Sequence, residues 1–95
     1  MTVYTVAPLA QGDLDHIWDY VAQDSPPAAD RLIEAFQERF SLLARQPFLG
    51  ELRPELRPNL RSFSVGHYVI YYQVLGDRVQ IARVLHGSRD VRVVF

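Results

Sequence analysis

Cysteine and lysine are both absent from this 95-residue chain. Without cysteine there is no disulfide, no thiolate nucleophile and no Cys-based zinc site. Without lysine, all ten basic side chains are arginines, whose planar forks suit bidentate contact with carboxylate or phosphate. Also missing is any apolar run near the ~20 residues that would cross a bilayer, and the first residues have neither the basic start nor the apolar stretch of a signal peptide. The expected location is therefore cytoplasmic, without membrane association. The three histidines, His16, His67 and His86, lie at no short ligand spacing to one another, so no metal and no cofactor is expected.

What is present is a hydrophobic fraction of 48%, enough for one core, and a length that argues for a single domain over residues 1–95. Small domains bury a smaller share of their surface, so help from a partner is expected. Charge is segregated along the chain. Up to Glu38 there are seven acids against Arg31, a balance of −6; from Arg39 onward nine arginines face Glu51, Glu55, Asp77 and Asp90, a balance of +5. The overall charge of −1, the absence of lysine and the lack of a recognition motif argue against direct sequence-specific binding of nucleic acid.

Periodicity changes along the chain. Thr2 to Val6 is β-branched and aromatic and stops before Pro8, which reads as a short strand. Leu14, Ile17, Trp18 and Val21 then recur at helical spacing, with Asp13, Asp15, Asp19 and Gln23 assigned to the opposite, solvated side; this predicts a helix over 9–23. Ser25 before Pro26 is a capping signal. The series Ala29, Leu32, Ile33, Phe36, Phe40, Leu43 carries a second helix up to Pro47, and the short link makes the two a helical hairpin. Residues 48–59, with Gly50, Pro54 and Pro58, read as a loop.

From Leu60 to Asp90 three strands are expected, joined by turns at Gly66-His67 and Gly76-Asp77. The second turn pairs Leu75 with Arg78, Tyr72 with Ile81, Ile70 with Arg83 and Val69 with Val84. Continued alternation then puts Arg61, Phe63, Tyr68, Ile70, Tyr72, Ile81, Arg83 and Leu85 on one face, and Leu60, Tyr71, Ala82, Val84 and His86 on the other. One hairpin covers one face, so the other face or a sheet edge is expected to leave apolar surface for a partner. The fold class is α+β, in the order β-α-α-β-β-β, with the hairpin packed on a small antiparallel-rich sheet.

Few residues suggest chemistry. Arg61 and Arg83 on one face would suit an anionic ligand or acidic partner; the alternative is that each snorkels to the rim or pairs with an acid. His86-Gly87-Ser88-Arg89-Asp90 follows the last strand, where strand end meets loop. A Ser88-His86-Asp90 triad can be written down, but no nucleophile elbow supports it. Trp18 belongs to the apolar stripe, although an indole at a stripe edge is also a common interface anchor.

Four segments in the same order, Asp13 to Tyr20, Pro47-Phe48-Leu49-Gly50, Leu56 to Phe63 and Arg83 to Asp90, resemble the ParE branch of the RelE/ParE toxin superfamily of bacterial toxin–antitoxin modules. The resemblance covers nearly the whole chain. It implies a toxin that binds DNA gyrase and blocks replication, is not an enzyme, and forms a hetero-oligomer with a ParD-like antitoxin wrapped around it. On that resemblance Arg61, Arg83, His86, Arg89 and Asp90 are candidates for meeting the target, and Trp18, Arg57, Arg61, Tyr71 and Arg83 for meeting the antitoxin. The alternatives are a RelE-like ribosome-dependent mRNA endonuclease, or an inactive relative acting as an interaction module. Nuclease sites of that type look for lysine or several bases, with a Tyr or His near the C-terminus, whereas this chain has no lysine, ends Val91-Arg92-Val93-Val94-Phe95, and matches the pattern only loosely at Arg61, His86 and Arg89.

Overall fold

The computed structural model describes residues 3–95. Thr2, the expected start of the first strand, lies outside the described residues. The elements are β1 (Val3–Val6), α1 (Pro8–Ala22), α2 (Pro26–Arg45), β2 (Glu51–Leu52), β3 (Leu60–Val65), β4 (Tyr68–Leu75), β5 (Arg78–His86) and α3 (Val91–Val94). They form one five-stranded sheet in the order β1-β5-β4-β3-β2. β1 runs parallel to β5 and the other pairs are antiparallel. The α+β hairpin-on-sheet architecture is as expected, with β2 and α3 as additions. None of the helices among the described residues is long and apolar enough to cross a membrane.

Local chemistry sets the helix ends. Pro8 and Pro26 open α1 and α2, where the missing N–H costs nothing. Ser25 caps α2 by accepting a bond from the Ala28 amide at 3.2 Å. Ser25→Ala should lower stability by about 1 kcal/mol, and a thermal melt unchanged from wild type would show that the cap contributes nothing. Pro47 ends α2 one residue beyond the Gln46 cap.

Both helices lie on one face of the sheet. Leu14, Ile17, Phe36, Phe40 and Leu43 bury against Ile70, Tyr72, Val79, Ile81 and Val84. The two expected turns are present, with Gly66 at φ 57° and Gly76 at φ 63°, the left-handed region in which glycine carries no Cβ penalty. The pairs Leu75–Arg78 and Tyr72–Ile81 form as predicted, and the first turn pairs Val65 with Tyr68.

The register beyond Ile81 differs from the prediction. Tyr71 pairs with Arg83 and Ile70 with Val84, so Ala82 is an extra residue opposite no partner, a β-bulge. The slip moves Val84 to the helix-covered core and Leu85 to the outer face. Arg83 leaves the face that carries Arg61, which corrects the expectation that the two project together. Nor is the outer face left bare. Leu60, Tyr71, Ala82 and Leu85 are covered by Leu56, Val91, Val94 and Phe95, so the chain's own last turn occupies much of the surface assigned to a partner.

Candidate functional site

The bulge at Ala82 coincides with the end of β1, whose pairing to β5 stops at Ile81. Past that point the outer edge of β5 needs another hydrogen-bond acceptor. Asp13 supplies it from the second turn of α1. One carboxylate oxygen accepts from the Val84 amide at 3.0 Å and from Arg83 Nε at 2.8 Å, and the other accepts from Arg83 Nη2 at 2.8 Å. The side chains are only 13% and 18% exposed. The hydrogen bonds to Asp13 hold the Arg83 guanidinium charged, above the ordinary arginine range, against a smaller opposing effect of burial. Asp15 and Asp19 are exposed as expected, but Asp13 does not belong to the solvated helix face.

This pair forms the floor of an open cleft of about 740 Å³ between α1 and the end of β5, lined also by His16, Tyr20, Tyr68, His86, Ser88 and Arg89. His86 Nδ1 accepts from the Ser88 amide at 3.1 Å and contacts Ser88 Oγ at 2.7 Å, which leaves Nε2 to carry the proton of the neutral ring. Tyr68 meets the same ring edge-on at 5.4 Å, and His67 stacks at 6.2 Å. Asp90 turns away and caps α3 by accepting from the Arg92 amide at 3.1 Å. Ser88 and His86 therefore meet without the third member of a triad.

Of the expected target-binding residues, the cleft brings together Arg83, His86 and Arg89. Arg61 lies elsewhere. Its Nη1 donates to the Phe48 carbonyl at 3.3 Å and the Gly50 carbonyl at 2.8 Å, and its guanidinium stands 5.0 Å over the Phe48 ring. The expected antitoxin-binding residues are divided among different surfaces. Tyr71 is buried under Phe95, ring centroids 5.1 Å apart, with Arg57 5.1 Å over the same Phe95 ring. Burial pushes the Tyr71 phenol up. On the helix side, Trp18 Nε1 donates to Asp30 at 2.8 Å. The outer face therefore presents Phe95 and Arg57, with the Tyr71 ring buried beneath them.

Residues 47–50 form a clasp that the sequence reading missed. Buried Tyr72 donates to the Pro47 carbonyl at 2.8 Å and accepts from the Gly50 amide at 2.8 Å. Its phenol is pushed up by burial, partly offset by the Gly50 bond and the Arg61 charge.

Comparison with known proteins places this arrangement among bacterial toxins. A family model described as the ParE toxin of the type II toxin–antitoxin system parDE matches residues 4–91. The toxin ParE1 of Caulobacter vibrioides is 37% identical over 94 residues, covering 97% of this chain and 96% of that protein. The toxin RelE3 of the same organism is 34% identical over 83 residues, covering 86% and 90%. Among solved structures, the chromosomal ParDE toxin–antitoxin system from P. aeruginosa superposes with a TM-score of 0.74 at 26% identity, covering 90% of this chain and 95% of that one.

Proposed function

Since the chain belongs to the ParE toxin family of type II toxin–antitoxin systems, we propose that it acts by binding DNA gyrase and is held inactive by a ParD-like antitoxin. The observation that favours binding over RNA cleavage is the Arg83–Asp13 fork. An endonuclease of the RelE type must place cations against a scissile phosphate and its developing charge. Here the bidentate edge of Arg83 is already occupied by a carboxylate, and the same carboxylate would repel a phosphodiester entering the cleft. Antitoxin contacts are assigned to two surfaces: Trp18 on the helix side, and Arg57 with Phe95 over Tyr71 on the outer face.

Two observations favour a second reading. His86 and Arg89 line the same cleft, and a relative named RelE3 aligns over most of the chain. Both readings are tested by running gyrase supercoiling beside translation-dependent mRNA cleavage on ribosomes. The purified protein is expected to inhibit supercoiling and leave mRNA intact. Cleavage without inhibition would establish the endonuclease reading, and silence in both assays would favour an inactive interaction module.

A further inference from the structure

The segment between α2 and β2 carries an apolar projection that the core does not use. Phe48 is 71% exposed and Leu49 46%, and Leu52 beside them in β2 is 50% exposed. Exposed apolar residues on loops are common, but these are unusually fixed. The Tyr72 hydroxyl ties both ends of the turn, at Pro47 and Gly50. Arg61 bonds two of its carbonyls and covers one face of the Phe48 ring. A projection held in this way loses little conformational freedom when something binds to it, which is the general condition for an economical contact.

Its composition indicates the occupant. Arg61 uses only Nη1 on the loop carbonyls, so Nε and Nη2 keep their donors, and among the described residues it forms no ion pair. From the fixed apolar tip and the unneutralised arginine we infer that Phe48, Leu49 and Arg61 are a preset docking knob for a protein segment carrying a carboxylate beside apolar side chains. Aromatic and arginine side chains are the commonest anchors of protein interfaces, and the free edge of a guanidinium is shaped for a carboxylate. A nucleic-acid backbone fits less well, because the tip offers one arginine beside exposed apolar side chains, whereas a run of phosphates calls for several cations. The inference stands on this loop alone, so gyrase inhibition could fail while binding here holds.

The test is an NMR titration of the labelled full chain with a short synthetic peptide alternating glutamate and leucine, alongside its glutamine counterpart and an oligothymidylate. The expected shifts fall on the amides of residues 48–52 and on Arg61 Nε–H, with about tenfold weaker binding of the two control ligands. Phe48→Ala and Arg61→Gln should each weaken the acidic peptide about tenfold. Phe48→Ala should leave the melting temperature near wild type, because the ring is largely exposed. Shifts confined to other surfaces, equal binding of the glutamine peptide, tighter binding of the oligonucleotide, or no response at about millimolar peptide would each overturn the inference.

Discussion

Replacing Gly50 by alanine is expected to lower stability by ~3 kcal/mol, a fall of roughly 12–24 °C in melting temperature for a chain of this size. A Cβ built at Gly50 stands 2.5 Å from the Tyr72 hydroxyl, 2.7 Å from its ring and 2.8 Å from the Ser62 carbonyl. The tyrosine cannot swing aside, because it is fully buried and holds both Pro47 and Gly50. The strand backbone at Ser62 cannot retreat without opening the β2–β3 pairing. Tyr72→Phe should cost less, about 2 kcal/mol, by leaving the Gly50 amide and the Pro47 carbonyl without their partner. The double variant should be less damaged than the two costs added, since removing the hydroxyl removes one of the clashes. Thermal melts of the three proteins decide this, and an alanine variant melting within about 3 °C of wild type would show that the turn relaxes freely.

The same tyrosine gives a pH dependence. Burial raises its phenol above the ordinary tyrosine value, so the folded state favours the neutral form. The unfolded chain ionises from about pH 10; the contribution is therefore complete below that pH and is lost as pH rises through the raised folded value. Tyr71 is raised by burial in the same sense. Stability should fall steeply in alkali, and less steeply in Tyr72→Phe.

The sequence carried the fold wherever one residue choice dictates one backbone. Pro8 marked the end of the first strand, Ser25, Pro26 and Pro47 marked helix ends, and Gly66 and Gly76 fixed two turns to the residue. The bulge at Ala82 had no such marker, since neither Ala82 nor Arg83 requires a special conformation, and strict alternation was the simplest extrapolation. That single extra residue carried Arg83, Val84 and Leu85 to the wrong faces. α3 was missed because Val91-Arg92-Val93-Val94 has weak helix propensity. Asp90 as a cap, with Val91, Val94 and Phe95 at i, i+3 and i+4, was the available signal.

The candidate site was legible as a list of residue types, less so as partnerships. Arg83, His86 and Arg89 do share one cleft, because they follow one another along a strand and its exit. Arg61 does not join them, and the clasp of Tyr72 on Gly50 spans 22 positions, which no local pattern reveals. Asp13 was grouped with Asp15 and Asp19, although it stands one turn before Ile17, at the border of the buried stripe. An acid at that border faces the sheet as readily as solvent, and the bulge then brings Arg83 to it.

Removing that acid should be the second large loss. Asp13→Ala is expected to cost about 3 kcal/mol, because it strands the Arg83 charge in a mostly buried position and leaves the Val84 amide without its acceptor. Asp13→Asn should cost about half as much, since the amide oxygen still accepts from Val84 or Arg83. Paired with Arg83→Met in a double-mutant cycle, the asparagine change should show a coupling of roughly 2 kcal/mol. Because the pair is largely shielded from solvent, added salt should change that coupling little. Independent costs in the cycle would mean that the fork contributes nothing beyond its separate side chains. The substitution also separates the two functional readings. In Asp13→Asn the Arg83 charge is no longer neutralised and the cleft loses a repelling carboxylate, so its affinity for an RNA oligonucleotide should rise above wild type. On the proposed gyrase reading, which uses the exposed His86 and Arg89, inhibition should persist in the folded fraction of the variant.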